Sequence, residues 1–175
     1  MKEAKFVFDK GLAYRDVRKS DVQLLFEVIY SNPYITMPNA YMPHEKLIET
    51  KLHLRKVRLR TRFKDYVYKL VFDGQTFVGV ICLRRMSPVS AEVSYNVNQE
   101  YWNRGYGTSM LNTALMFAEE LGYNFVCARI MYNNKGSLRI CEKNGFKFDR
   151  VDGEYLAVKK IEGGSRYGVR SDDCI

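Results

Sequence analysis

The chain has 175 residues, 46% of them hydrophobic and 27% charged, which is the composition of one globular domain able to bury its core without disulfides or metal and excludes a disordered chain. No apolar run approaches the ~20 residues of a membrane span, and MKEAKFVFDK lacks the apolar centre of a secretory signal. The net charge of +8 favours an acidic partner, whether nucleic acid, an acidic protein surface or a polyanionic ligand. Cys82, Cys127, Cys141 and Cys174 form no CxxC pair and no ligand spacing with the two histidines, which points to reduced thiols in a cytoplasmic protein and to no metal site.

Residues 12–18 (LAYRDVR) read as a short strand. Ser20 and Gln23 have the spacing of a capping box, and Val22, Leu25, Phe26 and Ile29 then share one helical face. Three prolines in SNPYITMPNAYMP break that helix. A second helix is expected from about Glu45 towards Phe63, with Ile48, Leu52, Leu59 and Phe63 on one stripe. Lys51, Arg55, Lys56, Arg58, Arg60, Arg62 and Lys64 crowd this helix. Such a run fits a solvated face, a nucleic-acid or ribosome contact, or a seat for an acidic peptide.

YVYKLVF (66–72) and TFVGVICL (76–83) flank Asp73-Gly74-Gln75, the pattern of a β-hairpin. AEVSYNV (91–97) is the next strand, with Ala91, Val93, Tyr95 and Val97 on one face and Glu92, Ser94 and Asn96 on the other. A helix follows, its stripe formed by Met110, Ala114, Phe117 and Leu121 with Leu111, Leu115 and Ala118 beside it, and Gly122 stands where a C′ glycine ends a helix. NFVCARIM (124–131) is a buried strand; a short helix over about 136–143 closes at Asn144-Gly145. FKFDRV, EYLAVKKI and SRYGVR are candidate terminal strands, with Gly163-Gly164 as a turn. This order is a mixed α/β arrangement, not a repeated βαβ ladder.

Between the third of these strands and its helix lies YWNRGYGTSML (101–111). The first N–H groups of a helix lack intrahelical acceptors and carry partial positive charge. Glycine removes the Cβ that would keep a phosphate at a distance, Thr108 adds a hydroxyl and Arg104 a charge, so a diphosphate suits the segment. A Walker loop is absent, and a dinucleotide fingerprint would need glycine at Met110. A tight strand-to-helix turn explains Gly105 and Gly107 equally well.

Two stretches together resemble the GNAT superfamily of acyl-CoA-dependent N-acyltransferases. That family's pyrophosphate loop, Arg/Gln-x-x-Gly-x-Gly/Ala, corresponds to Trp102-Asn103-Arg104-Gly105-Tyr106-Gly107. Tryptophan at the first position is the habit of one branch, the ribosomal-protein N-acetyltransferases (RimJ/RimL-like). The second signature of that branch, Asn-x-x-Ser-x-Arg-x-x-Glu-Lys-x-Gly-Phe, is matched by Asn134, Ser137, Arg139, Glu142, Lys143, Gly145 and Phe146. The match is strongest over 76–148. The resemblance implies one acetyltransferase domain over 1–175. Its expected fold is α/β of the GNAT type, a mixed, mostly antiparallel central sheet flanked by about four helices, with strands splayed at the cofactor site.

It also implies roles. Glu92 would take the amine's proton through water, with Ser94 and Asn96 positioning that water; read alone, Glu92 is a solvated strand residue. The backbone N–H of Val97 would meet the thioester carbonyl. Arg104, Gly105, Gly107 and Thr108 would hold the pyrophosphate, with Trp102 as packing. Asn134 and Ser137 would contact the pantetheine arm, although locally they read as a helix N-cap and a first-turn residue. Cys141 stands where many members carry a tyrosine that protonates the leaving thiolate; a small buried residue is the plainer reading. Pro33, Tyr34, Tyr41 and Met42 would shape acceptor choice. The implied activity is acetyl transfer from acetyl-CoA to a primary amine by direct attack, in a monomer or homodimer away from membranes. The acceptor is a protein N-terminus or a small-molecule amine. The other readings are a basic nucleic-acid- or ribosome-associated protein through the 51–64 helix, and a family member that binds acyl-CoA without turnover.

Overall fold

The structure, a computed structural model, describes residues 11–63 and 66–161. SRYGVR, Gly163-Gly164, Lys64 and Cys174 lie outside the described residues. Among these residues seven strands form one sheet: β1 (Ala13–Asp16), β2 (Tyr66–Asp73), β3 (Thr76–Arg85), β4 (Ser90–Val97), β5 (Phe125–Met131), β6 (Lys147–Val151) and β7 (Glu154–Lys160), in the order β1-β2-β3-β4-β5-β7-β6. Every neighbouring pair is antiparallel except β4–β5.

Among the described residues five α-helices accompany the sheet: α1 (Val22–Leu25), α2 (Pro33–Thr36), α3 (Leu47–Arg62), α4 (Tyr106–Glu120) and α5 (Lys135–Lys143). α1 continues into a π-helical turn, Phe26–Tyr30. The proline-rich segment does stop that helix, and it also folds a turn of its own. Asn32 accepts from Tyr34 N–H at 3.0 Å while Pro33, which has no N–H to satisfy, takes the first helical position.

The sheet has a core on each face. On one side Met110, Leu111, Ala114 and Ala118 of α4 meet Ile81, Leu83, Ala91 and Val93. On the other, Leu25, Ile29, Leu54 and Val57 from α1, its π turn and α3 meet Leu70, Val80 and Cys82. Cover on both faces explains why β3 is an almost unbroken apolar run and not an alternating one. Gly122 and Gly145 adopt φ +81° and +74°, the left-handed caps their positions suggested.

Three local expectations are corrected. The expected Ser20–Gln23 capping box does not form. Asp21 accepts instead from Arg18 N–H at 2.6 Å, and Gln23 bonds to Glu27. Arg15 grips the same Asp21 carboxylate at 2.7 and 2.8 Å, so a cross-element ion pair chose the cap. Along α3 the stripe of Ile48, Leu52, Leu59 and Phe63 faces outward; Thr50, Leu54 and Val57 are the buried residues. Leu121, placed in the α4 stripe, lies just past the helix and is exposed.

Candidate active site

β4 and β5 pair only from Ser90↔Phe125 to Glu92↔Cys127, yet β4 runs on to Val97 and β5 to Met131. Beyond Glu92 the two strands therefore part. At the ends of β4, Met86 N–H donates to Ser90 and Asn98 N–H donates to Val78. Hydrogen-bonding direction alternates along a strand, so the even residues face β3 and the N–H groups of Val93, Tyr95 and Val97 face the opening. The Val97 carbonyl is already engaged: the Trp102 indole donates to it at 2.9 Å. Trp102 is thus a half-exposed clasp between strand end and loop, not the packing residue its type suggested.

The loop turns twice through the left-handed region, at Asn103 (φ +61°) and Gly105 (φ +84°), which folds successive N–H groups into a concavity. α4 begins at once, and Ser109 N–H closes its first bond to the Gly105 carbonyl at 3.2 Å. The N–H groups ahead of Ser109, including those of Gly107 and Thr108, precede any intrahelical acceptor. The Tyr106 hydroxyl donates to Asp73 Oδ2 at 2.6 Å and ties this turn to the β2–β3 hairpin. Arg104 is exposed, with its guanidinium 5.2 Å from the Tyr101 ring centre. Gly107 also has a packing reason. A Cβ there would stand 2.7 Å from Ile140 Cδ1, so its bareness lets α4 and α5 approach.

A cavity of about 620 Å³ extends from this opening. Val97, Trp102 and Asn103 form one side, Asn134, Ser137 and Ile140 of the α5 start another, and the α2 region, with Pro33 and Tyr34, a third. Asn134 caps α5 by accepting from Ser137 N–H at 3.1 Å, and its amide donates to the Pro38 carbonyl at 3.3 Å. The Tyr95 hydroxyl is buried and faces Ser137 without completing a hydrogen bond of good geometry among the described residues; burial raises its pKa. A concave run of amides and an unspent buried hydroxyl are what a long, polar, anionic-ended ligand requires, so the residues present fit coenzyme A.

A second cavity, about 340 Å³, shares Tyr95 and Asn96 with the first. The Tyr30 hydroxyl lies 3.0 Å from His53 Nε2 and 2.7 Å from the Tyr68 hydroxyl. Asn96 donates to the Tyr41 hydroxyl at 3.0 Å and accepts from Asn39 at 2.9 Å. Burial lowers His53 to about 4 and pushes Cys82 up to about 11 and Tyr41 to about 12, so these groups are neutral near pH 7. Glu92 sits at the last β4–β5 pair with its side chain largely covered, bound by both Nε, at 2.8 Å, and Nη2 of Arg84. It lines neither cavity; Ser94, on its face of β4, lines the second. Burial pushes the Cys141 thiol up to about 12, and the residue is core.

Another cavity, about 670 Å³, lies elsewhere, between α3 and the segment after β1, among Arg18, Lys51, Arg55 and Arg58. It shares Tyr68 with the aromatic cavity and no residue with the loop.

The family model for the acetyltransferase (GNAT) domain matches residues 12–147. The chain belongs to the GNAT acetyltransferases. No curated protein matches it by sequence. Among solved structures, the RimL ribosomal L7/L12 alpha-N-protein acetyltransferase in complex with coenzyme A superposes with a TM-score of 0.71 at 16% identity, over 86% of this chain and 94% of that one. The PaiA N-acetyltransferase from Thermoplasma acidophilum, in complex with coenzyme A, gives 0.70 at 23% identity, over 86% and 99%. Spermidine N-acetyltransferase from Vibrio cholerae, with CoA and spermine, gives 0.71 at 18% identity, over 87% and 94%. At these identities the likeness is one of fold, and it matches the expected mixed, mostly antiparallel sheet with its splay.

In this GNAT chain the opening gathers Val97, Asn134 and Ser137 around one cavity, whose lining reaches the loop at Trp102 and Asn103 and does not include Arg104, Gly105, Gly107 or Thr108. Reading the sequence missed Tyr95 as more than a core residue, and missed the Tyr30–His53–Tyr68 cluster altogether. The density of tyrosine in 66–68 was the available signal; the partners it would meet were not.

Proposed function

We propose that this chain is an N-acetyltransferase that moves the acetyl group of acetyl-CoA to a primary amine by direct attack, in the manner of the RimL-type branch. The observation that carries the reading is the Val97 N–H aimed into the β4–β5 opening, on a cavity that also meets Asn134 and Ser137. Acetyl-CoA supplies a thioester whose carbonyl oxygen gains negative charge under attack by the amine. The Val97 N–H donates to that charge from a fixed strand, which needs no reorganisation. The amides of Gly105, Gly107 and Thr108, with Arg104 beside them, hold the pyrophosphate. Asn134 shapes the pantetheine wall by fixing the start of α5, and Ser137 offers its hydroxyl there. Glu92 accepts the amine's proton through water on the Ser94 face of β4, and Arg84 holds its carboxylate in place for that task. The solved relatives act on a protein N-terminus or hold a polyamine; either acceptor is a primary amine.

Thiol release measured against a panel of amines tests the reading. Glu92→Gln is expected to lower kcat while leaving acetyl-CoA affinity unchanged. If wild type and variant both bind acetyl-CoA and neither releases thiol with any amine, the chain is a non-catalytic acyl-CoA binder.

The outward cations of α3 support a further contact, with an acidic ribosomal surface or nucleic acid. Lys51, Arg55, Lys56, Arg60 and Arg62 are all exposed. Binding to RNA should then weaken steeply with salt; salt-insensitive or absent binding removes the contact and leaves the transferase intact.

A further inference from the structure

From the aromatic cavity behind β4 we infer that the acceptor carries a single amine on an uncharged, apolar or aromatic body, and that polyamines and aminoglycosides are excluded. This rests on the proposed acetyl transfer and names its acceptor class. The cavity is about 340 Å³, enough for one side chain or a small aryl group, and it adjoins the groove at Tyr95 and Asn96. An amine held at that junction leaves its body in the pocket.

Among the described residues no aspartate or glutamate lines this space. Two carboxylates come near it, and each is already paired within the protein. Glu49 accepts from the N–H groups of Glu45 and Lys46 at the start of α3, and Glu92 is held by Arg84. Several polar groups on the walls have partners within the protein: Tyr30 with Tyr68 and His53, Tyr41 with Asn96, and His44 with Thr50 at 2.8 Å; the buried Tyr95 hydroxyl, at the junction with the groove, is left for the ligand. A positive charge stands against one wall residue, with the Arg60 guanidinium 4.7 Å from the Tyr66 ring centre.

A polyamine would bring two ammonium groups beyond the one that reacts. Desolvating each without a counter-charge is strongly unfavourable. The five tyrosine rings offer cation–π attraction, which is weaker than that cost. For the reacting amine the same environment helps, since burial beside neutral rings favours the deprotonated form that attacks. Tyr66, Val80 and Cys82 meanwhile give an apolar body surface to cover. A small arylalkylamine and a peptide with an apolar first residue present the same chemistry, and the assay separates them.

Thiol release is measured with tyramine, with tripeptides beginning in Phe or Met, with spermidine and with kanamycin. Binding of each amine to the CoA-loaded protein is followed in parallel by calorimetry. The expected result is a kcat/KM for tyramine or a tripeptide at least 100-fold above that for spermidine and kanamycin, with the same order in binding. The better of the first two identifies the source. Met42 is exposed at the rim of this cavity, so Met42→Asp should fold normally. It is expected to narrow the gap to spermidine at least tenfold with CoA affinity unchanged. Spermidine or kanamycin equal to or better than the apolar amines overturns the inference, as does binding of none of them. Selective binding of tyramine or the tripeptides without thiol release would sustain the pocket and defeat the transfer reading instead.

Discussion

The indole N–H of Trp102 donates to the main-chain carbonyl of Val97 across 2.9 Å, fixing the peptide plane at the end of β4. Trp102→Phe keeps an aromatic ring and removes the donor. A single such bond contributes about 1 kcal/mol to stability, and denaturant titration is expected to show a loss of that size. If the peptide is being aimed at a developing charge, kcat should fall severalfold while coenzyme A affinity barely moves. Weaker affinity with kcat intact would mean that the bond shapes only the loop.

Gly107 and Ile140 test why the loop carries its second glycine. Alanine at 107 gains helix propensity of up to about 1 kcal/mol but places a Cβ 2.7 Å from Ile140 Cδ1. Gly107→Ala is therefore expected to be neutral or mildly destabilising in the native background and stabilising beside Ile140→Val, which lacks that methyl. A coupling of at least ~0.5 kcal/mol in the double-mutant cycle is the signature. If Gly107 instead serves close approach of a phosphate, coenzyme A affinity will drop equally in both backgrounds and stability will show no coupling.

What could be read from the sequence was what neighbouring residues decide among themselves. Asp73-Gly74 marked the β2–β3 hairpin because the turn needs a left-handed residue, and Gly74 has φ +59°. Asn134 and Gly145 bracketed α5 for similar local reasons. The Trp102–Gly107 motif located the opening. Choices settled at long range were not readable. Asp21 displaced Ser20 as the cap because Arg15 on β1 reaches it. The aromatic cavity assembles Tyr30, His53, Tyr68 and Ser94 from four separate segments, and no spacing rule joins them.

α3 gives the same lesson in a form that can be measured. Apolar residues occur on more than one of its faces, so periodicity alone did not say which face packs. Leu54 is 2% exposed and Leu52 50%. Leu54→Ala is expected to cost about 2–5 kcal/mol through a core cavity, and Leu52→Ala no more than about 0.5 kcal/mol. Equal effects in urea titration would mean the helix is rotated from the orientation described.

His53 makes the fold sensitive to mild acid. Burial, with His44 and Lys56 adding to it, lowers its pKa to about 4, and burial lowers His44 as well. An unfolded histidine titrates near ~6.5. Between these values the unfolded chain binds more protons than the native one, so stability is complete above pH ~6.5 and declines as pH falls towards 4. For a group buried to this extent the loss is on the order of 2–3 kcal/mol. The favourable carboxylates, Asp21 and Glu49, have lowered values in the fold; their contribution is lost only below the unfolded carboxylate range near ~4. The interval from pH 7.5 to pH 5 therefore isolates the histidines. Urea unfolding at those two pH values should show the native chain weaker at pH 5, and His53→Gln should remove most of the difference. Identical free energies at both pH values in the native chain would show that His53 is not held neutral by its surroundings.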